Sequence, residues 1–218
     1  MTDFILTPLK DIMQIISSGL LAPAITILLL FVAFTVIELG SLLVEVFFER
    51  RKAVKINLPA LLDTFQVKDT REIPEEIEKS RLFRRQKAAL RELIKNRALP
   101  AASHQALARR LLDSEELYYA GIINRTDLIA RLGPMLGLIG TLIPLGQGLV
   151  TLGQGDLNGL SNSLHVAFNA TVIGLATASV AFVVSRLRKR WYEDNLSLLE
   201  ILLKSLLEVY DRERGIEE

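Results

Sequence analysis

The residues of this chain with the clearest chemical potential are hydroxyls set in an apolar field. Gly137, Thr141, Pro144, Gly148, Thr151 and Gly155 follow one another at steps of four, three, four, three and four, which places them on one face of a helix. Ala167, Thr171, Gly174, Ala178, Ala181 and Ser185 repeat the pattern. Small residues let helix backbones approach closely in lipid, where a large apolar side chain gains little by leaving an apolar solvent. A threonine hydroxyl both donates and accepts hydrogen bonds, so the same stripes can hold water or a partly dehydrated cation without a fixed charge to trap it. Tight helix packing and a hydroxyl-lined pore wall use the same residues, and the two readings are compatible.

Other polar residues stand near these stripes. Asn169 lies one turn from His165 and either lines a pore or bridges helices, with bridging the favoured reading. His165 reads as a solvated residue at a helix end. Glu38 and Glu45 sit seven apart on one face of an earlier helix, and an acid inside a span is a functional candidate by default. Glu45 and Glu49 lie close to Arg50 and Arg51, so interfacial pairing is expected for them, and the same reading stands beside a functional one for Glu38. Arg84, Arg85, Arg91, Arg109 and Arg110 read as a solvated basic face.

Enzyme chemistry finds no support. The chain has no Cys and two histidines, His104 and His165, far apart in sequence, so no metal site or thiolate nucleophile is expected. No P-loop or HExxH motif occurs, and the GLSNS at Gly159 is an incomplete nucleophile elbow. No cofactor is implied. Net charge is +1, which gives no global basic field for nucleic acid.

Half of the chain is hydrophobic although 23% is charged, so the two must be segregated. Three stretches carry no formal charge: Ile12 to Ile37, Leu132 to Gly155 and Leu157 to Ser185. Each exceeds the ~20 residues that a helix needs to cross a bilayer core, and the expected fold is all-α with three transmembrane helices. Of the 26 basic residues, 18 lie between Arg50 and Arg131 and seven follow Ser185, which predicts both segments on the cytoplasmic side of an inner membrane and the N-terminus outside. The domains follow: 1–19 an extracytoplasmic amphipathic segment, 20–49 the first span, 50–130 a cytoplasmic helical domain, 131–155 the second span, 156–163 an external hairpin, 164–186 the third span and 187–218 a cytoplasmic C-terminal helix. Ile5, Leu9, Ile12 and Ile16 fit a surface helix or a plain extension of the first span, with Pro23 near the first turn of that span. Within the cytoplasmic domain a helix is expected from Glu75 to Leu99, and another capped by Ser103. These helices are expected to extend the membrane bundle, having too little material for a core of their own. After the third span, Leu199, Leu202, Leu206, Val209 and Tyr210 continue an apolar stripe.

The stretch GPMLGLIGTLIPLGQG, Gly133 to Gly148, resembles the second span of the MotA/TolQ/ExbB proton-channel family, in which a Pro precedes a G-L-x-G-T core. HVAFNATVIGLATASVAFVVSR, His165 to Arg186, resembles the family's last span, with an A-T-x-x-G-L core and a basic exit. The resemblance implies a stator-type ion channel: a homopentamer around a dimeric single-span partner of the MotB/TolR/ExbD kind whose intramembrane Asp is essential. It makes Thr141 and Thr171 the pore-facing hydroxyls, conducting H⁺ or Na⁺ to drive mechanical work. ExbB-like and TolQ-like members carry a Glu five residues before that last-span Thr. Val166 stands there, beside His165, which points to a MotA-like or divergent member and leaves both pore helices without a carboxylate. A MotA-like chain would also present some of its cytoplasmic arginines to a rotor. The alternative is a non-conducting membrane scaffold in which the stripes pack an oligomer.

Overall fold

A computed structural model describes residues 2–49, 58–67 and 72–215. The chain is all-α. α1 spans Thr2–Val44 and runs on into a π-helical turn, Glu45–Glu49; α2 is Leu58–Val67, α3 Ile73–Lys79, α4 Arg84–Lys95, α5 Ala101–Gly153 and α6 Leu157–Glu213. Three helices are long and apolar enough to cross a membrane: α1 over Ile12–Phe47, α5 and α6. The chain divides into two compact units, Met1–Ser41 with Asn124–Arg186, and Leu42–Ile123 with Leu187–Glu218.

The first unit turns its large apolar side chains outward. Leu138, Leu142, Leu175 and Phe182 are exposed, as are Phe168 at 62% and Val172 at 65%, while Ala167, Ala170, Ala178 and Ala181 are buried. Such a surface is tolerable only where the solvent is itself apolar. Hydroxyls on it donate to the carbonyl one turn back: Ser18 to Ile15, Thr26 to Ala22 (2.8 Å) and Ser179 to Leu175 (2.8 Å). In a medium without water this internal bond removes the cost of a bare donor.

The second unit has the opposite arrangement. Phe65, Ile73, Ile77, Leu82, Leu90 and Leu93 from α2 to α4 close on Leu199, Leu202, Leu203, Leu206 and Tyr210 of α6. Burying each Leu or Ile from water stabilises the unit by about 1.5 to 3 kcal/mol before chain entropy is counted. The apolar stripe from Leu199 to Tyr210 is therefore a core face, with Val209 partly buried at its edge.

Four expectations are corrected. Residues of the 50–130 segment do enter a buried core, because five helices, α2 to α6, contribute to it, α5 through Ala108. Residues 75–99 are not one helix: α3 ends at Lys79, Ser80 and Phe83 adopt extended backbone, and α4 begins at Arg84. α5 starts at Ala101 directly after Pro100, whose carbonyl accepts the His104 N–H at 2.9 Å, so Ser103 lies inside the helix rather than at its cap. Pro23 lies far from a first turn, since α1 runs unbroken from Thr2.

Candidate functional site

The site is set by the α5–α6 hairpin of the first unit. Only Gln154, Gly155 and Asp156 separate the two helices. Gly155 has φ +81°, a left-handed conformation that a side chain disfavours. Asp156 follows it, and its Oδ1 accepts the Gly159 N–H at 3.0 Å, capping the start of α6.

Glycines then bring the two backbones together. A Cβ placed on Gly174 would lie 2.8 Å from the Gly133 carbonyl oxygen and 3.0 Å from the Gly137 Cα; one on Gly140 would lie 2.6 Å from the Ala170 Cβ. No side chain fits at such distances. The close approach puts the Thr141 and Thr171 hydroxyls in direct hydrogen-bond contact, and Thr141 Oγ1 also donates to the Gly137 carbonyl at 2.7 Å. One hydroxyl has one proton, so Thr171 is the donor to Thr141 and its own lone pairs stay available. Next to this pair, Pro144 has no N–H to give the Gly140 carbonyl. Gly140 and Pro144 are both buried. An uncharged group of oxygens therefore lies within the charge-free stretches of two helices, suited to passing a proton or coordinating a cation weakly.

Most stripe residues gather on this face. Gly137, Pro144, Gly148, Ala167, Gly174 and Ala178 are buried; Thr141, Thr151 and Thr171 are half-buried, with Thr151 donating to the Gly148 carbonyl at 2.9 Å. His165 and Asn169 are not brought to it. Both are exposed, and Asn169 makes no hydrogen bond among the described residues, so it does not bridge α5 and α6 within the chain. Glu38 is half-buried on α1 and has a polar partner. Among the described residues no group of His, Asp and Glu could hold a metal.

Charges in the second unit are more engaged than a solvated face would require. Arg85 makes a two-pronged bond to Glu115, Nε to Oε2 at 2.8 Å and Nη2 to Oε1 at 2.9 Å, and its guanidinium lies 3.6 Å over the Tyr118 ring. The hydrogen bond to Glu115 holds the Arg85 pKa above its ordinary value. Arg91 pairs with Glu78, whereas Arg84, Arg109 and Arg110 are exposed. Glu45 reaches Arg188 at 3.4 Å, and the Arg188 side chain is 3% exposed. The sequence suggested neighbours Arg50 and Arg51, which lie outside the described residues.

Sequence reasoning missed His104. It is fully buried, with Nε2 3.0 Å from the Leu93 carbonyl and Nδ1 3.1 Å from Arg214 Nη2. Arginine only donates, so Nδ1 accepts and Nε2 carries the proton. Arg214 also donates to the carbonyls of Leu99 and Arg97, at 2.7 and 3.0 Å. No local signal marks this clasp, whose members stand 110 residues apart. Thr35 was missed as well; it is 4% exposed in the first unit and its hydroxyl has no hydrogen-bond partner among the described residues.

The chain was compared with known proteins. The family model of the MotA/TolQ/ExbB proton channel family matches residues 76–201. No curated protein matches. The family match covers more than half of the chain and includes both helices that carry the hydroxyl pair; the chain belongs to the MotA/TolQ/ExbB proton channel family.

Proposed function

We propose that the chain is the ion-conducting subunit of a motor or energy-transducing complex, with Thr141 and Thr171 on the ion path. The observation that supports this is the hydrogen-bonded pair of hydroxyls at one depth on the charge-free apolar stretches of two helices. Neither helix offers a carboxylate at that depth, so a single-span partner contributes the acid, an intramembrane Asp. Identical subunits that each present one outward apolar surface close into a ring around the partner, five of them in the stoichiometry that the resemblance implied. The N-terminus and the Asp156 hairpin face away from the cytoplasm of an inner membrane, because basic residues concentrate in the other segments. The ion is H⁺ or Na⁺.

A second reading has its own observation. Within one chain the stripes are buried against each other, as a scaffold would also have them. Two substitutions separate the readings. Thr171→Val keeps the shape and deletes the hydroxyl, so conduction predicts normal assembly and a fall of roughly tenfold or more in flux through the reconstituted pair. Stability should change by no more than about 0.5 to 2 kcal/mol, the value of one interhelical hydrogen bond. Thr171→Leu tests volume instead. If Thr171→Val conducts normally while Thr171→Leu fails to assemble, the stripe is a packing surface and the site assignment is wrong.

A further inference from the structure

The second unit contains a cleft of about 380 Å³ that ion conduction does not use. Its lining includes Arg81, Arg84, Arg85, Glu45, Tyr119 and Tyr192. Arg85 is engaged by Glu115, and Glu45 by Arg188. Arg81 and Arg84 make no ion pair among the described residues. Two unmatched guanidinium groups thus border a cleft whose other charges are balanced. The lining is also aromatic: Tyr119 and Tyr192 stack with ring centroids 4.3 Å apart. Both rings lie outside the charge-free stretches. Burial pushes the Tyr119 phenol up to about 12 and the Tyr192 phenol up as well, so at neutral pH neither adds a negative charge to the cleft.

Guanidinium groups bind tetrahedral oxyanions through paired N–H donors. The volume falls within the range of small-molecule sites, roughly 300 to 1,000 Å³, and leaves room beyond one phosphate. Leu82, Phe83 and Ile122 add apolar wall, so the cleft suits a phosphate ester with an apolar or polyol body. The source follows from the helix that supplies Glu45, which belongs to the apolar segment Ile12–Phe47. The cleft therefore includes the charged end of a candidate span, and arginine with tyrosine is the side-chain combination of membrane interfaces. We propose that this cleft binds the phosphate of an anionic phospholipid headgroup, held by Arg81 and Arg84. The site does not depend on whether the chain conducts.

The test uses the full chain in nanodiscs of phosphatidylcholine containing a minor fraction of phosphatidylglycerol, with retained lipid measured by native mass spectrometry. The unmodified chain should retain phosphatidylglycerol, and the double variant Arg81→Gln, Arg84→Gln should lose it by roughly tenfold or more. Arg109→Gln with Arg110→Gln removes the same charge from exposed positions that do not line the cleft, and should leave retention unchanged. Equal retention in all three proteins overturns the proposal, and so does equal loss in both double variants, which would mark diffuse attraction. A parallel arm offers glycerol phosphate to the chain in pure phosphatidylcholine discs. Saturable binding there, together with displacement of retained phosphatidylglycerol when glycerol phosphate is added to the mixed discs, would assign the cleft to a soluble phosphate ester and overturn the lipid source.

Discussion

The two units use the same two helices under opposite rules. Through Asn124–Gly153 and Leu157–Arg186, α5 and α6 bury Gly137, Gly140, Ala167, Ala170, Gly174 and Ala178 and expose Leu138, Leu142, Phe168, Val172, Leu175 and Phe182, with Ile129 and Val184 the large residues turned inward. Beyond Leu187, α6 puts Leu199, Leu202 and Leu206 inside and Lys189, Arg190, Glu193 and Lys204 outside. A continuous helix therefore changes its inward residues from small to large with no break in backbone. The driving force differs. Water makes burial of large side chains favourable, whereas in lipid close backbone contact and dispersion remain as the main terms.

Removing side-chain volume should separate the units most. Leu202→Ala, from the buried core of the second unit, should cost about 2 to 5 kcal/mol, read as faster amide exchange in residues 58–123 and 187–215. Leu142→Ala in the first unit, where the side chain is exposed, should change that exchange little. Comparable losses from the two substitutions would mean that the first unit is also driven by water, and the contrast would fail. Adding volume should reverse the order. Gly174→Val forces atoms against the Gly133 carbonyl and the Gly137 backbone, for about 1 to 3 kcal/mol or more; the check is loss of oligomer in lipid while exchange in the second unit holds.

The smallest effect is one of pH. Burial raises the Tyr119, Tyr192 and Tyr210 phenols, so the folded state holds these protons more tightly than the unfolded chain. The stabilisation from this source is full below the ordinary tyrosine value of about 10 and is lost as pH rises toward the folded values, about 12 for Tyr119. Titration by tyrosinate absorbance should show ionisation in the second unit coinciding with its unfolding. Reversible ionisation of all three near pH 10 with exchange protection intact would contradict the buried placement.

The features legible in the sequence were those carried by short, periodic stretches. Charge-free runs gave the three long helices, and steps of three and four gave the stripes that bury Gly137, Gly174 and Ala178. The stripes and the resemblance paired Thr141 with Thr171, but their direct contact required knowing that a three-residue link sets the register of α5 against α6. The second unit was less legible, because its core joins Phe65, Ile77, Leu93 and Leu206 from segments that are each only partly amphipathic. The break between α3 and α4 falls at Ser80 to Phe83, where no glycine or proline punctuates the chain. The contacts of Arg85 with Glu115 and of His104 with Arg214 are long-range pairings for which local spacing contains no information. Ser103, expected at the start of α5, lies inside it, since the helix begins at Ala101 with the Pro100 carbonyl accepting the His104 N–H.

The tightness of the α5–α6 connection also bears on how the protein is made. Three linking residues cannot span a bilayer, so the linked ends of the second and third membrane segments lie on the same side of it. We expect them to enter the membrane together as a helical hairpin, held by the glycines that bring their backbones together. Between Leu132 and Ser185 the tip carries one formal charge, Asp156. In the orientation proposed above, insertion transfers this single carboxylate across the hydrocarbon layer while Arg131 and Arg186 stay on the cytoplasmic side.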